Sequence, residues 1–248
     1  MLVLTLPQAA LAFLTLFVAG LVTGLTSFGL AIVATPLLVL ILPPKVVVPA
    51  LALHGMVNNL VLLYERRHGL KLGRIWPLTL AGMAGVPFGA RLLAVCNAAS
   101  LKAFIGIAIT LTALAFLLGF KRRLAHERLA SAPVGLVSGL LNGSMGMAGP
   151  PVILFFANQD VEKDTFRANL AAYFTAVNLV TVPAYLLQGL ITRTVVAYAA
   201  LLFPALALGL FTGMRLAHRV DEQAFRRVVL VVVGGAGLLA VASGLGLL

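Results

Sequence analysis

Two stretches of this chain combine glycine, proline and small hydrogen-bonding side chains. The first is Gly24-Leu25-Thr26-Ser27-Phe28-Gly29, with Thr35 and Pro36 following. The second runs Gly139-Leu140-Leu141-Asn142-Gly143-Ser144-Met145-Gly146-Met147-Ala148-Gly149-Pro150-Pro151. Each interrupts an apolar run, so each reads as a helix that stops and restarts. The stop is expected at Ser27-Phe28-Gly29 in the first stretch and across Asn142 to Pro151 in the second. A restarting helix leaves its first amides without acceptors and carries roughly half a positive charge at that end. A negative solute supplies what the end lacks. Gly29, Gly143, Gly146 and Gly149 allow the backbone to come close, and Ser27, Thr35, Asn142 and Ser144 offer donors to an oxyanion. Pro36, Pro150 and Pro151 suit the first turn of a restarting helix, where a missing N–H costs nothing.

Glycine and proline also mark tight packing and kinks in membrane helices. What favours a binding role is that two such clusters occupy matching places in the chain, a pointer to a transporter site. Among the remaining polar residues, Asn58, Asn59, Asn169 and Asn178 fall within long apolar segments. Asn59 and Asn178 match one another and are expected to do the same job in their two halves, contacting a solute or tying helices together. Arg91 and Arg215 also match; they could attract anions at two mouths or simply extend to the lipid interface.

The elements that hold these residues follow from composition. Apolar types make up 61% of the chain and charged types 10%, against roughly 45–50% and 25% in soluble domains. Apolar runs at Gln8 to Thr26, Val46 to Leu63, Ile75 to Val95, Leu101 to Phe120 and Val195 to Met214 approach or reach the ~20 residues of a spanning helix. They do not alternate, which excludes a membrane barrel and leaves an all-α bundle. The net charge of +11 sits in short clusters between apolar runs, the place of topology-setting charges rather than of a nucleic-acid surface. The first run lacks a basic leader and reads as an uncleaved helix.

The pattern occurs twice. Gly20-Leu21-Val22-Thr23-Gly24-Leu25 returns as Gly135-Leu136-Val137-Ser138-Gly139-Leu140, an offset of 115 that also carries Pro36 onto Pro151. Asn59-Leu60-Val61 matches Asn178-Leu179-Val180, Gly69-Leu70 matches Gly189-Leu190, and Gly89-Ala90-Arg91-Leu92 matches Gly213-Met214-Arg215-Leu216. Each copy is expected to hold a broken helix pair followed by three long helices, with residues 1–120 forming the first repeat, 121–131 a basic cytoplasmic linker and 132–248 the second repeat. If each broken pair crossed once, the 18 basic residues would divide equally between the two sides. If each pair returns, the loops at 65–74, 121–128, 158–167 and 215–227 fall together, leaving only Lys45, Arg91, Lys102 and Arg193 opposite. The positive-inside rule selects the returning pair. The halves are then inverted relative to one another, with both termini periplasmic and the site near the midplane between them.

These interruptions and the repeat spacing resemble the sulfite exporter TauE/SafE family over essentially the whole chain. The resemblance implies export of sulfite, organosulfonates or related small anions across the bacterial inner membrane. The chain departs from the family's glycine-rich pattern at Leu30, Ala31 and Ala148.

The residues themselves exclude several alternatives. All seven acidic residues lie in loops or at helix ends, so a cation site or carboxylate proton relay is not expected. His54 lies in an apolar segment and reads as a buried, hydrogen-bonded histidine. Cys96 is the only cysteine and no histidine pair has ligand spacing, so no metal, disulfide or cofactor is expected. No Gly-x-x-x-x-Gly-Lys-Ser/Thr segment is present for ATP drive. An exporter of amino acids or other zwitterions remains the alternative, although an ammonium group would have no carboxylate to meet. A membrane enzyme is disfavoured, because Asp160, Glu162 and Asp164 sit in one short loop. The sequence leaves a homodimer open.

Overall fold

A computed structural model describes residues 5–71, 73, 75–117, 127–157 and 162–217. Among these the chain is helical, with α1 (Leu6–Thr26), α2 (Leu30–Leu38), α3 (Pro44–Arg66), α4 (Trp76–Val95), α5 (Ala98–Leu117), α6 (Glu127–Met145), α7 (Gly149–Ala157), α8 (Lys163–Leu187) and α9 (Arg193–Leu216). Helices α1, α3 with its short 3-10 extension, α4, α8 and α9 are long and apolar enough to cross a membrane. The first half therefore holds a broken pair, α1–α2, and then α3, α4 and α5. The second holds α6–α7, then α8 and α9. Its expected third long helix lies beyond residue 217, outside the described residues, as does the charged stretch 121–126. Residues 127–131, at the end of the expected linker, already belong to α6, and 163–167 already belong to α8.

Local chemistry sets the ends. α1 begins with a capping box, in which the Thr5 N–H donates to the Gln8 side chain at 3.1 Å. It stops because Ser27 adopts a left-handed conformation, φ 68°. Gly29, φ 110°, then turns the chain into α2. Gly146, φ 74°, ends α6 in the same way.

The halves pack by exchange. α1 lies along α9 and α4 lies along α6, so the first helix of each half pairs with a later helix of the other, while α3 lies along α8. Glycines spaced four apart make the first two contacts close. A β-carbon on Gly24 would meet the backbone of Leu210 and Met214, and one on Gly20 would meet Leu206 and Leu210. On the other seam a β-carbon on Gly143 would meet Val86 and Ala90, and one on Gly135 would meet Leu78 and Gly82. Residue numbers rise together along both seams, so α1 runs parallel to α9 and α4 parallel to α6. Across α3 and α8 they run in opposition, with Gly69 against Asp164 and Gly55 against Asn178.

The chain break fixes the repeat register. Thr26 and Met145 end equivalent helices, and Leu30 and Gly149 begin equivalent ones, an offset of 119. Asn59 and Asn178 share this offset. The expected offset of 115 at the first glycines is thus one helical turn short, and Gly20 and Gly24 correspond to Gly139 and Gly143. Pro36 does not correspond to Pro151. It lies inside α2, whereas Pro150 and Pro151 do fall in the first turn of α7.

Candidate functional site

Both breaks line one cavity of about 60 Å³, several times the roughly 10–15 Å³ that one water occupies on the same measure. From the first half it takes Thr23, the stretch Phe28 to Ile32, Leu51, Ala52, Gly55, Asn58 and Asn59. The second half contributes Asn142, the stretch Gly146 to Gly149, Phe174 and Asn178. The lining contains no acidic, basic or histidine side chain. The two helix ends are in contact, since a β-carbon on Gly149 would sit 3.6 Å from Ile32 Cδ1 and one on Gly146 4.0 Å from Ala31 Cβ.

The second break is held by a dense polar network. Asn142 Nδ2 donates to Thr181 Oγ1 at 2.7 Å and to Asn178 Oδ1 at 3.3 Å. Tyr185, fully buried, donates from its hydroxyl towards the carbonyls of Gly143 at 2.8 Å and Asn142 at 3.1 Å. Tyr173 donates to Ser138 Oγ at 2.8 Å, and Ser138 donates to the Ala148 carbonyl at 2.5 Å. The break itself spans only Gly146-Met147-Ala148. Asn142 to Met145 are the last turn of α6, not part of an extended breaker.

At the first break, Thr26 Oγ1 donates towards the carbonyls of Val22 at 2.9 Å and Phe28 at 2.6 Å. Thr26 Oγ1 accepts from the Phe28 N–H at 3.3 Å. Arg167, 6% exposed, donates from Nη2 to the Leu25 carbonyl at 2.8 Å and so fastens the end of α1 to α8. Ser27 Oγ and Thr35 Oγ1 are buried without a partner.

Of the residues singled out in the sequence, Phe28, Gly29, Asn59, Asn142, Gly146, Gly149 and Asn178 line the cavity. Ser27, Thr35, Gly143 and Ser144 do not. Gly143 faces the α4 backbone, and Ser144 turns its hydroxyl back to the Leu140 carbonyl at 2.8 Å. Arg91 and Arg215 are exposed and also outside the lining. Sequence reasoning passed over Thr23, Gly55 and Phe174 as lining residues, and left Asn58 without a role. Asn58 is 2% exposed and its Oδ1 has no partner. His54 is buried and bonded, as read, with Nε2 2.7 Å from the Ala199 carbonyl. Asn169 ties α8 to the connection after α3, its Oδ1 accepting the Lys71 N–H at 3.0 Å. Among the described residues no cluster of three or more metal-ligating side chains occurs.

A multi-pass helical bundle with an uncharged, amide-lined cavity between two broken helices has the form of a membrane transporter. Comparison with known families agrees. The family model described as sulfite exporter TauE/SafE matches residues 12–240, and the chain belongs to that family. A curated relative from Cupriavidus necator, described as a probable sulfite/organosulfonate exporter TauE, is 30% identical over 103 residues. The match spans 42% of this chain and 40% of the relative, so the chain covers well under half of that relative's length. No solved structure matches.

Proposed function

We propose that this chain exports a small sulfur oxyanion, sulfite or an organosulfonate, from the cytoplasm across the bacterial inner membrane. The observation that carries the reading is the meeting of two restarting helices and of asparagines from both halves around one uncharged cavity. In such a site, helix-end amides and side-chain amides replace the hydration of an anion. A cation or ammonium group would find no carboxylate there, which disfavours the zwitterion alternative.

Transport proceeds by alternating exposure of this cavity between inverted halves. Support for inversion comes from the antiparallel run of α3 and α8, which occupy equivalent places in the two halves, and from the distribution of basic loops. Both termini are then periplasmic. An inside-negative potential contributes about 2.3 kcal/mol per charge per 100 mV towards anion exit, so no proton relay is needed.

The test is flux from liposomes containing the purified chain, with sulfite, methanesulfonate, taurine, sulfate and chloride, and with and without an imposed potential. Sulfite or sulfonate flux that increases with an inside-negative potential supports the reading; silence towards every anion would sink it. Inversion is tested separately in a Cys96→Ser background. Single cysteines at Thr5 and His68 should label from opposite sides of the membrane, His68 from the cytoplasm.

A further inference from the structure

The two breaks differ in what holds the end of the helix that precedes them. α1 stops at Thr26, so the Leu25 carbonyl lies past the reach of a helical amide and takes a donor from elsewhere. Arg167 of α8 supplies it, with Nη2 2.8 Å from the oxygen. The corresponding end of α6 is held by the Tyr185 hydroxyl, neutral and fully buried. The offset of 119 that relates the halves matches Tyr185 with Arg66 and Arg167 with Val48. Val48 stands at the second break as Arg167 stands at the first: a β-carbon on Gly146 would lie 3.6 Å from its Cγ1. Where one half places a guanidinium, the other places a methyl group.

Arg66 and Arg167 both line a second cavity, of about 310 Å³, between the end of α3 with its 3-10 extension, the start of α8 and the end of α9. It lies on the face that the basic loops assign to the cytoplasm. Its charges are layered. Glu65, His68 and Asp164 are exposed, Arg66 is half-buried and Arg167 is buried. Salt screens exposed carboxylates more than a buried guanidinium, so the floor of the cavity is cationic although its rim carries acids. The Arg167 guanidinium thus faces two kinds of acceptor, the end of α1 and a solute in the cavity. An oxyanion is the stronger acceptor, because it brings full charge and can take two parallel bonds where a carbonyl offers a dipole. Leu25, the residue held, lies between Thr23 and Phe28, which line the central cavity.

We propose that this second cavity is the cytoplasmic loading site for the anion, and that Arg167 is a latch between it and the central cavity. With no anion bound, the guanidinium holds the last turn of α1 through Leu25. An arriving sulfite or sulfonate group takes the guanidinium, Leu25 is released, and the first break loosens to admit the solute. The inference rests on the chain moving an anion, and it names where that anion is first met.

The test reads the first break directly, by the rate at which a maleimide alkylates Ser27→Cys in a Cys96→Ser background of the full chain in lipid nanodiscs. Ser27 is buried, so alkylation reports opening. The probe is methanesulfonate at constant ionic strength, since sulfite would itself consume the maleimide; dimethyl sulfone, of similar shape and no charge, is the control. Methanesulfonate should speed alkylation severalfold and the sulfone should not. Adding Arg167→Met removes one hydrogen bond from a charged donor and should raise the rate without any anion roughly 10- to 150-fold, with no further response to methanesulfonate. Arg167→Lys keeps the charge without the fork and should retain a reduced response.

An unchanged rate with methanesulfonate, an equal response to the sulfone, or a response that survives Arg167→Met overturns the latch, while parent flux in liposomes leaves the transport reading standing. A parent protein that moves no anion removes both. Should Ser27→Cys fail to assemble, Thr26→Cys reports on the same turn, and should Arg167→Met fail, a response in Arg167→Lys equal to that of the intact arginine overturns the proposal.

Discussion

At the second break Tyr185 donates towards the carbonyls of Asn142 and Gly143, Ser138 donates to Ala148, and Asn142 reaches Thr181. At the first, Ser27 Oγ, Thr35 Oγ1 and Asn58 Oδ1 are buried with no partner, and a non-glycine residue holds the left-handed turn. Each break leaves three residues between two helices and opens on a left-handed residue, but only the first has a second such residue, Gly29, where the other has Ala148. A polar group left unsatisfied, or a turn left strained, persists where function compensates for it.

The largest effects should test what the halves still share. Gly139→Val and Gly24→Val each force a side chain into the backbone of the opposing seam, Gly82 in one case and Leu210 in the other. Both variants should fail to give a monodisperse protein on size exclusion. If only one did so, the equivalence of the seams would be broken.

Next comes the contrast between the breaks. Tyr185→Phe removes the hydroxyl that donates to the Gly143 carbonyl, while the Asn142 carbonyl keeps the Gly146 N–H at 2.8 Å, and should lower stability by about 1–3 kcal/mol, read as a reduced midpoint in detergent unfolding. An undiminished midpoint would show that the second break is not held by this hydroxyl.

Exchanging the turn residues should give a smaller and opposite pair of shifts. Gly146→Ser imposes the left-handed cost on the second break, about 1–2 kcal/mol, and Ser27→Gly relieves it at the first. Thermal melting of the two variants should move in opposite directions; shifts of the same sign would show that strain is not what separates them. The smallest effect belongs to Arg91→Gln and Arg215→Gln. Both guanidinium groups are exposed and salt screens them, so sulfite flux at physiological salt should be unchanged, and a marked loss from either would place a mouth of the pathway beside it.

Much of the architecture is legible in the sequence. Hydropathy alone gives α1, α3, α4 and α9 to within a few residues, because lipid demands uninterrupted apolar helices. The repeat is visible too, but its register is not. Glycines recurring every fourth residue, at Gly135, Gly139 and Gly143, align with Gly20 and Gly24 at either of two offsets, and only the helix ends decide between them. The extent of the second break is hidden for a related reason. Asn142, Gly143 and Ser144 look like breakers in sequence, yet each faces a tertiary partner, α8, α4 or the preceding turn, that keeps the helix intact. Asn58 was passed over because its matching position holds Val177. A search for matched pairs finds what the halves share and misses what only one of them has.

The exchanged seams also govern how the chain can be made. Gly20 must await Gly209, 189 residues further along, which at roughly 5–20 residues per second takes on the order of 10–40 s of synthesis. During that interval α1 sits in the bilayer with its close-packing stripe against lipid tails. Biogenesis of this protein therefore ends with a late clasp rather than growing helix by helix, and the insertion machinery must tolerate a long-lived, half-zipped intermediate.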